Sequence, residues 1–157
     1  MKIIYKQGDL LSAHERCIVH GTNARGVMNS GVAKAIRATY PKAFLVYRET
    51  FEREGLGLGR TIWVECGRHV VINAITQASY GYDGNLYLSY DALEEAFRQV
   101  NSAFQDKTAI CPTLVGDLGT AIALPRIGAG LAGGDWERIA AIIEATCTHV
   151  QPVVYEL

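Results

Sequence analysis

The chain has 157 residues, which fits one domain, and we expect residues 1–157 to share one core. Its composition, 49% hydrophobic and 20% charged, is that of a soluble globular protein. The sixteen glycines exceed the usual share without a collagen repeat or a Gly/Ser linker, so they indicate special loops. A net charge of -1 argues against binding nucleic acid through bulk charge but leaves room for a local anion site.

Strand-like and helix-like segments alternate, which is typical of an α/β fold. In chain order the patterns predict a strand at 3–5, a strand at 17–20 stopped by Gly21, helices at 31–39 and 43–54, paired strands at 61–65 and 69–74, a helix at 89–104, a strand at 121–124, a helix after residue 135 and a strand at 153–155. Ser89 and Asp135 are expected to cap their helices. Residues 107–119 are ambiguous and predict a short strand at 109–110. We therefore expect about six strands.

The cysteines predict a reducing environment. Cys17, Cys66, Cys111 and Cys147 are widely spaced and form no CxxC pair. Reduced thiols in the cytoplasm, or in another reducing intracellular compartment, are expected. The first residues show no basic-then-apolar pattern, so no signal sequence is expected. No apolar run approaches the roughly 20 residues of a membrane helix, so no membrane partner is expected.

Two glycine-rich segments are the strongest functional signal. The first glycine loop is residues 21–31 and the second glycine loop is residues 128–134; each follows a strand and precedes a helix. Ligands of open α/β sheets bind beyond the carboxyl ends of strands. Backbone N–H groups at a helix N-terminus can face an anion there, and glycine allows a phosphate to approach closely. Two such loops indicate one shared phosphate-bearing ligand.

Two common nucleotide motifs do not fit these loops. Gly26 and Gly31 have the P-loop spacing, but Val32 and Ala33 stand where that motif needs Lys and Ser or Thr. The second loop matches GxGxxG literally, yet too few residues follow it to complete a dinucleotide-binding sheet. Neither a triphosphate-magnesium site nor a nicotinamide cofactor is therefore expected.

Taken together, the loops resemble those of the macro domain family along essentially the whole chain. The segment at 8–11 (GDLL) is similar to the family's Gly-Asp-Ile-Thr. The first loop running into residues 31–33 resembles its ribose and phosphate loop. Residues 124–131 (LPRIGAGL) with 134–136 (GDW) resemble its second phosphate loop and last helix. The resemblance implies a three-layer α/β/α sandwich around a mixed sheet, with an ADP-ribose cleft over the strand ends.

The resemblance also implies site residues. Asp9 would accept a hydrogen bond from the adenine amino group, with Leu10 near the base, and Asn23 would hold the distal ribose. Residues implied to flank the diphosphate and ribose are Thr22, Gly31, Val32, Ala33, Ile127, Gly128, Ala129, Gly130 and Leu131. Tyr80 or Tyr82 is a candidate for stacking on a ring, within a loop at 80–85 that could equally be a flexible surface turn.

Within the family the chain is similar to the branch of small ADP-ribose 1''-phosphate phosphatases and terminal ADP-ribose glycohydrolases. Those glycohydrolases use a lysine after the middle strand and an aspartate after the second-loop Gly-Leu. Here residues 73–79 contain no lysine, and Ala132 stands in the aspartate position. The resemblance therefore favours a phosphatase acting on ADP-ribose 1''-phosphate, with His20 and Asn23 as its catalytic residues.

Two alternatives stay open: a non-catalytic reader of ADP-ribose, and a hydrolase of ADP-ribosyl or O-acetyl-ADP-ribose esters. The expected partners are ADP-ribose, ADP-ribose 1''-phosphate or an ADP-ribosylated protein, and the chain is expected to be a monomer. No cofactor is expected. His14, Cys17 and His20 lie at three-residue steps, but strand alternation turns Cys17 and His20 to opposite faces and a fourth ligand is missing, so no metal is expected.

Overall fold

The computed structural model describes residues 1–107, 114 and 116–157. The strands in these ranges are β1 (Ile4–Gln7), β2 (Cys17–Asn23), β3 (Thr61–Glu65), β4 (Val70–Gln77), β5 (Ala121–Leu124) and β6 (Gln151–Glu156). The α-helices are α1 (Gly31–Thr39), α2 (Pro41–Glu54), α3 (Tyr90–Asp106) and α4 (Trp136–Thr146), and a 3-10 turn at Leu10–Ser12 follows β1. Cys111 and the strand predicted at 109–110 lie outside the described residues.

The strands form one mixed sheet in the order β1-β6-β5-β2-β4-β3. The described pairs run parallel except β3 with β4, which are antiparallel and correspond to the paired strands predicted at 61–65 and 69–74. The carboxyl ends of β5, β2 and β4 are therefore neighbours at one edge of the sheet. That edge is where ligands of such sheets bind.

Helices cover both faces of the sheet. On β4, Val70, Ile72 and Ala74 pack in the same cluster as the apolar face of α3 and α4, whereas Val71 and Ile75 pack on the α1 and α2 side. Period-2 alternation of an apolar strand explains this division, because a strand buried on both faces is apolar throughout. The predicted three-layer α/β/α sandwich with a mixed six-stranded sheet is confirmed.

Most predicted elements are confirmed, but β2 and β4 both run beyond their predicted ends, and β4 reaches Gln77 instead of residue 74. The helix at 31–39, the strands at 61–65 and 121–124, and the Ser89 and Asp135 caps agree with the structure. The expectation that Gly21 stops β2 is wrong. Gly21 pairs with Ala74 of β4, and this pairing carries β2 on to Asn23, inside the functional edge of the sheet.

Candidate functional site

A cavity of about 300 Å³ opens at the carboxyl ends of β2, β4 and β5, at the low end of the range for small-molecule sites. Its walls come from the end of β2, both glycine loops, the start of α1, the end of β4 and the loop that follows β4. The lining residues are Gly21, Thr22, Asn23, Val27, Met28, Asn29, Ser30, Gly31, Val32, Ala33, Thr76, Gln77, Tyr80, Gly81, Tyr82, Pro125, Arg126, Ile127, Gly128, Gly130, Leu131 and Ala132.

The start of α1 presents unpaired N–H groups to this cavity. The Ser30 side chain makes no cap hydrogen bond, and the first bond of the helix runs from Lys34 N–H to the Ser30 carbonyl (3.2 Å). The N–H groups at residues 31–33 therefore have no acceptor within the described ranges, and all three residues line the cavity. An uncapped helix N-terminus attracts an anion through these groups and the helix dipole.

The second glycine loop faces the same cavity from the opposite side. It is folded by its own backbone: Gly134 N–H donates to the Gly128 carbonyl (2.8 Å) and Gly133 N–H to the Gly130 carbonyl (3.0 Å). The N–H groups at residues 130–132 donate to no acceptor in the described part of the chain, and these residues line the cavity. The two loops together form a cradle of backbone amides suited to an anion.

Asn23 is fixed at the end of β2. Its Oδ1 accepts from Arg25 N–H (2.9 Å) and lies 3.0 Å from the Tyr47 hydroxyl, while its Nδ2 donates to the Val27 carbonyl (3.1 Å). Tyr47 also donates to the Asn23 carbonyl at 2.5 Å. Burial raises the pKa of Tyr47 well above its usual range, so this phenol stays a donor. Asn23 therefore holds a single orientation at the cavity wall.

The cavity brings together most of the predicted ligand-binding residues. Those that line it are Thr22, Asn23, Gly31, Val32, Ala33, Tyr80, Ile127, Gly128, Gly130 and Leu131. Asp9, Leu10 and Ala129 do not line it. Asp9 caps the 3-10 turn, with its Oδ1 accepting from Leu11 N–H (3.0 Å), and Leu10 is buried in the α1 and α2 side of the core.

His20 lies beneath the cavity rather than in it. Its side chain is fully buried, and its Nε2 lies 2.6 Å from Asn73 Oδ1, while Asn73 in turn donates to the Ala43 carbonyl of α2. Burial lowers the pKa of His20 to about 4, partly opposed by the Asn73 hydrogen bond. The prediction that His20 is a catalytic group is not supported, because a neutral, enclosed imidazole outside the lining has no access to a bound substrate.

Several lining residues were missed by sequence reasoning. Thr76, Gln77 and Arg126 were not singled out, and Tyr82 was noted only beside Tyr80. Tyr80 and Tyr82 make an edge-to-face pair with centroids 6.5 Å apart at the rim. The strand predicted at 69–74 stops short of Thr76 and Gln77, because the pairing with β2 that carries β4 to Gln77 is not visible in the local sequence. Arg126 is bound to Glu156 (3.0 Å) at the outer side of the second loop.

Titratable side chains are scarce in the cavity. Among its described lining residues only Tyr80, Tyr82 and Arg126 are ionisable, and none is a carboxylate, histidine, cysteine or lysine. Across residues 1–107, 114 and 116–157, no three His, Cys, Asp or Glu side chains are grouped to hold a metal ion. Cys17, Cys66 and Cys147 are free thiols whose pKa burial raises, to about 12 for Cys17 and about 11 for Cys147. No helix in the same ranges is long and apolar enough to cross a membrane.

Comparisons with known proteins agree with this architecture. The family model described as Macro domain matches residues 19–143. A DNA ADP-ribosyl glycohydrolase of Mycobacterium tuberculosis is 27% identical over 145 residues, which cover 87% of this chain and 36% of that protein. An ADP-ribose 1''-phosphate phosphatase of Saccharomyces cerevisiae is 24% identical over 178 residues, covering 99% of this chain and 98% of that protein.

A solved structure gives the same fold. A protein of unknown function from Bacteroides thetaiotaomicron superposes with a TM-score of 0.83 at 26% identity, covering 100% of this chain and 99% of that chain. The chain spans about a third of the length of the mycobacterial relative, whereas it spans nearly all of the yeast relative.

Proposed function

Because this chain belongs to the macro domain family, we propose that it binds ADP-ribose or an ADP-ribosyl group in the cavity at the ends of β2, β4 and β5. The single observation that carries the proposal is the pair of amide sets that face this cavity. Residues 31–33 and residues 130–132 offer N–H groups without acceptors in the described structure. A diphosphate held between them would gain hydrogen bonds and the α1 dipole.

The backbone cradle also accounts for anion binding by a chain of net charge -1. No lysine lines the described cavity, and Arg126 is already bound to Glu156. The diphosphate would therefore be recognised by geometry rather than by bulk charge. In this proposal Asn23 contacts the terminal ribose, since its side chain is held at the cavity wall by Tyr47 and Arg25.

The adenine would lie outside the enclosed cavity. Asp9 is exposed and uses Oδ1 for its own turn, which leaves Oδ2 as the acceptor for the adenine amino group. Tyr80 and Tyr82 would cover the terminal ribose end of the ligand from the rim. The 300 Å³ of enclosed space then holds the diphosphate and terminal ribose only.

We propose that the reaction is hydrolysis of the 1''-phosphate of ADP-ribose 1''-phosphate. Water attacks phosphorus, the bond between phosphorus and the ribose oxygen breaks, and that oxygen leaves with a proton from the water. The yeast phosphatase that aligns with nearly the whole chain supports this substrate. Stabilisation of the transferring phosphoryl group would come from backbone amides, with Asn23 positioning the ribose. His20 would act only on the stability of β2.

The second candidate function is a non-catalytic reader of ADP-ribose. The observation that favours it is the lining itself, in which the described residues supply no carboxylate, histidine, cysteine or lysine as a general acid or base. Such a pocket binds the ligand without an efficient proton-transfer group. The difference between the two candidates is therefore turnover, not affinity.

One set of assays tests both candidates. The protein is titrated calorimetrically with ADP-ribose and incubated with ADP-ribose 1''-phosphate, an ADP-ribosylated glutamate peptide and O-acetyl-ADP-ribose, with EDTA present. Phosphate release from the first substrate, retained in His20→Gln, supports the phosphatase proposal. Tight binding without turnover of any substrate supports the reader. An absence of ADP-ribose binding contradicts the proposed function in both forms.

A charge at the α1 N-terminus tests the cradle. Val32 occupies the second position of α1, is 40% exposed and lines the cavity. Val32→Asp places a carboxylate beside the proposed diphosphate, while a carboxylate in the first helical turn favours folding. We expect ADP-ribose affinity to fall at least about tenfold, a change of ~1.4 kcal/mol. The neutral isostere Val32→Asn is the matched control and should bind nearly as well as the wild type.

A further inference from the structure

Thr76, near the end of β4, carries a buried hydroxyl with no hydrogen-bond partner among the described residues. Its side chain is 1% exposed, and the residue lines the cavity. Other buried threonines are satisfied: Thr22 donates to the Ala74 carbonyl (3.1 Å) and Thr50 to the Val46 carbonyl (2.8 Å). Thr76 is therefore an exception that needs a reason, since a buried hydroxyl without a partner loses its hydrogen bonds to water and gains none in return.

The neighbouring strand offers no side chain to this hydroxyl. A Cβ at Gly21 of β2 would lie 3.0 Å from Thr76 Oγ1 and 3.2 Å from Ile127 Cγ1. Glycine inside a strand weakens it and often marks a site where a ligand approaches closely. Gly21 is fully paired with β4 and has no left-handed backbone that would itself require glycine. Glycine at this position is thus required by the close approach of Thr76 and Ile127, and it supplies no side-chain partner to the Thr76 hydroxyl.

The surroundings restrict the chemistry of that group. Gly21 and Ile127 are apolar, and the only charged lining residue of the described cavity, Arg126, is bound to Glu156 on the outer side. A hydroxyl both donates and accepts, so it pairs well with another hydroxyl, whereas an uncompensated phosphate there would lose its hydration. The part of the cavity beside Thr76 therefore suits a neutral hydroxyl better than an anion.

We propose that Thr76 is a specificity-determining residue that hydrogen-bonds a hydroxyl of the terminal ribose. The inference rests on the proposed function and deepens it. In this proposal the amide cradle holds the diphosphate near the rim of the cavity, where Val32 and Leu131 are 40% and 51% exposed. The terminal ribose, which follows the diphosphate, then enters the inner end of the cavity between Asn23 and Thr76. Thr76 thus distinguishes ADP-ribose from ADP, which has the same diphosphate and no second ribose.

The test compares ligand affinity with stability. Thr76→Val keeps the side-chain shape and removes the hydroxyl, Thr76→Ser keeps the hydroxyl, and Thr50→Val is a control that removes a satisfied hydroxyl away from the cavity. Each is titrated calorimetrically with ADP-ribose and with ADP, and unfolded in urea. For Thr76→Val we expect ADP-ribose affinity to fall about five- to tenfold, ADP affinity to stay within twofold, and the urea midpoint to stay level or rise.

The other two variants should differ from Thr76→Val in ADP-ribose affinity and in the urea midpoint. Thr76→Ser should retain ADP-ribose affinity within about twofold, and Thr50→Val should lower the urea midpoint without changing affinity. Wild-type ADP-ribose affinity in Thr76→Val overturns the inference and leaves the proposed function standing. Equal losses for ADP-ribose and ADP, or a lowered urea midpoint in Thr76→Val, also overturn it. Failure of the wild type to bind ADP-ribose overturns the proposed function and the inference together.

Discussion

The two glycine loops face one cavity but are held in different ways. The first loop depends on side chains: Asn23 bonds to Val27 and Arg25, Tyr47 bonds to Asn23, and Arg48 donates to the Gly26 carbonyl (3.3 Å). The second loop depends on its own backbone and on close packing. A Cβ at Gly133 would lie 2.7 Å from the Asn85 carbonyl oxygen, and one at Gly128 would lie 2.9 Å from Leu88.

The two loops should therefore be disrupted by different kinds of substitution. A loop held by side chains is weakened by removing a hydroxyl or an amide, whereas a loop held by close backbone contacts is disrupted by adding one carbon atom. The first loop also leaves room at Gly31, where a Cβ would meet no other atom within 4 Å. Alanine at Gly31 and alanine at Gly134 should therefore have unequal effects. The contrast holds for this pair of positions, since a Cβ at Gly26 of the first loop would lie 2.7 Å from the Phe51 ring and one at Gly130 of the second would meet no atom within 4 Å.

The largest expected effect is steric and lies in the second loop. A Cβ at Gly134 would lie 2.6 Å from the Gly128 carbonyl oxygen and 2.6 Å from Leu88. Gly134→Ala should lower the free energy of unfolding by about 3 kcal/mol and abolish ADP-ribose binding, because loop backbone must move. Gly31→Ala, the matched change in open space at φ +58°, should cost only about 1–2 kcal/mol. Equal losses in urea unfolding would contradict the comparison.

The second expected effect is a loss of folding stability in acid, caused by a histidine in the strand that leads into the first loop. β2, which leads into that loop, holds His20, whose pKa burial lowers from 6.5 to about 4; β5, which leads into the second loop, has no ionisable residue. The folded state binds fewer protons than the unfolded chain between these values, so this stability is present above pH 6.5 and lost toward pH 4. The loss amounts to about 3 kcal/mol, and burial of His69, which lowers its pKa, adds in the same direction.

Urea unfolding of the wild type and His20→Gln at pH 7.5 and pH 4.5 checks this expectation. The variant should be less dependent on pH over this interval, while retaining the part that His69 supplies. It should also bind ADP-ribose normally at pH 7.5, since His20 does not line the cavity. Parallel pH profiles for the two proteins would show that the imidazole is not the group responsible.

A smaller effect comes from the hydroxyl that holds the first loop. Tyr47→Phe removes the hydrogen bond to the Asn23 carbonyl and should cost about 1–2 kcal/mol of stability, with a several-fold loss of ADP-ribose affinity. Tyr40→Phe is the control, because the Tyr40 hydroxyl is bonded to His69 away from the cavity. It should lower stability without changing affinity. The same affinity loss in both variants would mean that Tyr47 acts through global stability.

Local sequence signals predicted much of the fold. The helix at 31–39 and the strand at 121–124 agree with their predicted bounds, because apolar periodicity and the glycines that end an element can be recognised from neighbouring residues alone. The end of β2 could not be predicted in this way. Gly21 belongs to the strand because of its pairing with Ala74, fifty-three residues later in the chain.

The site was predicted unevenly for a related physical reason. Glycine loops and Asn23 are visible as motifs, so the cavity contains most residues expected from them. His20 was proposed from its closeness to Asn23 in sequence, but its side chain is enclosed with Asn73 beneath the cavity. Thr76 was missed because a lack of hydrogen-bond partners can be recognised only when all surrounding residues are known.

The central claim is that one anion is held by both loops at once. Backbone amide resonances followed by NMR during an ADP-ribose titration test it most directly. We predict that the amides of Val32 and Ala33 in α1 and those of Gly130 and Leu131 in the second loop shift together, with one saturation curve. Shifts confined to one loop, or two different saturation curves, would contradict the shared cradle.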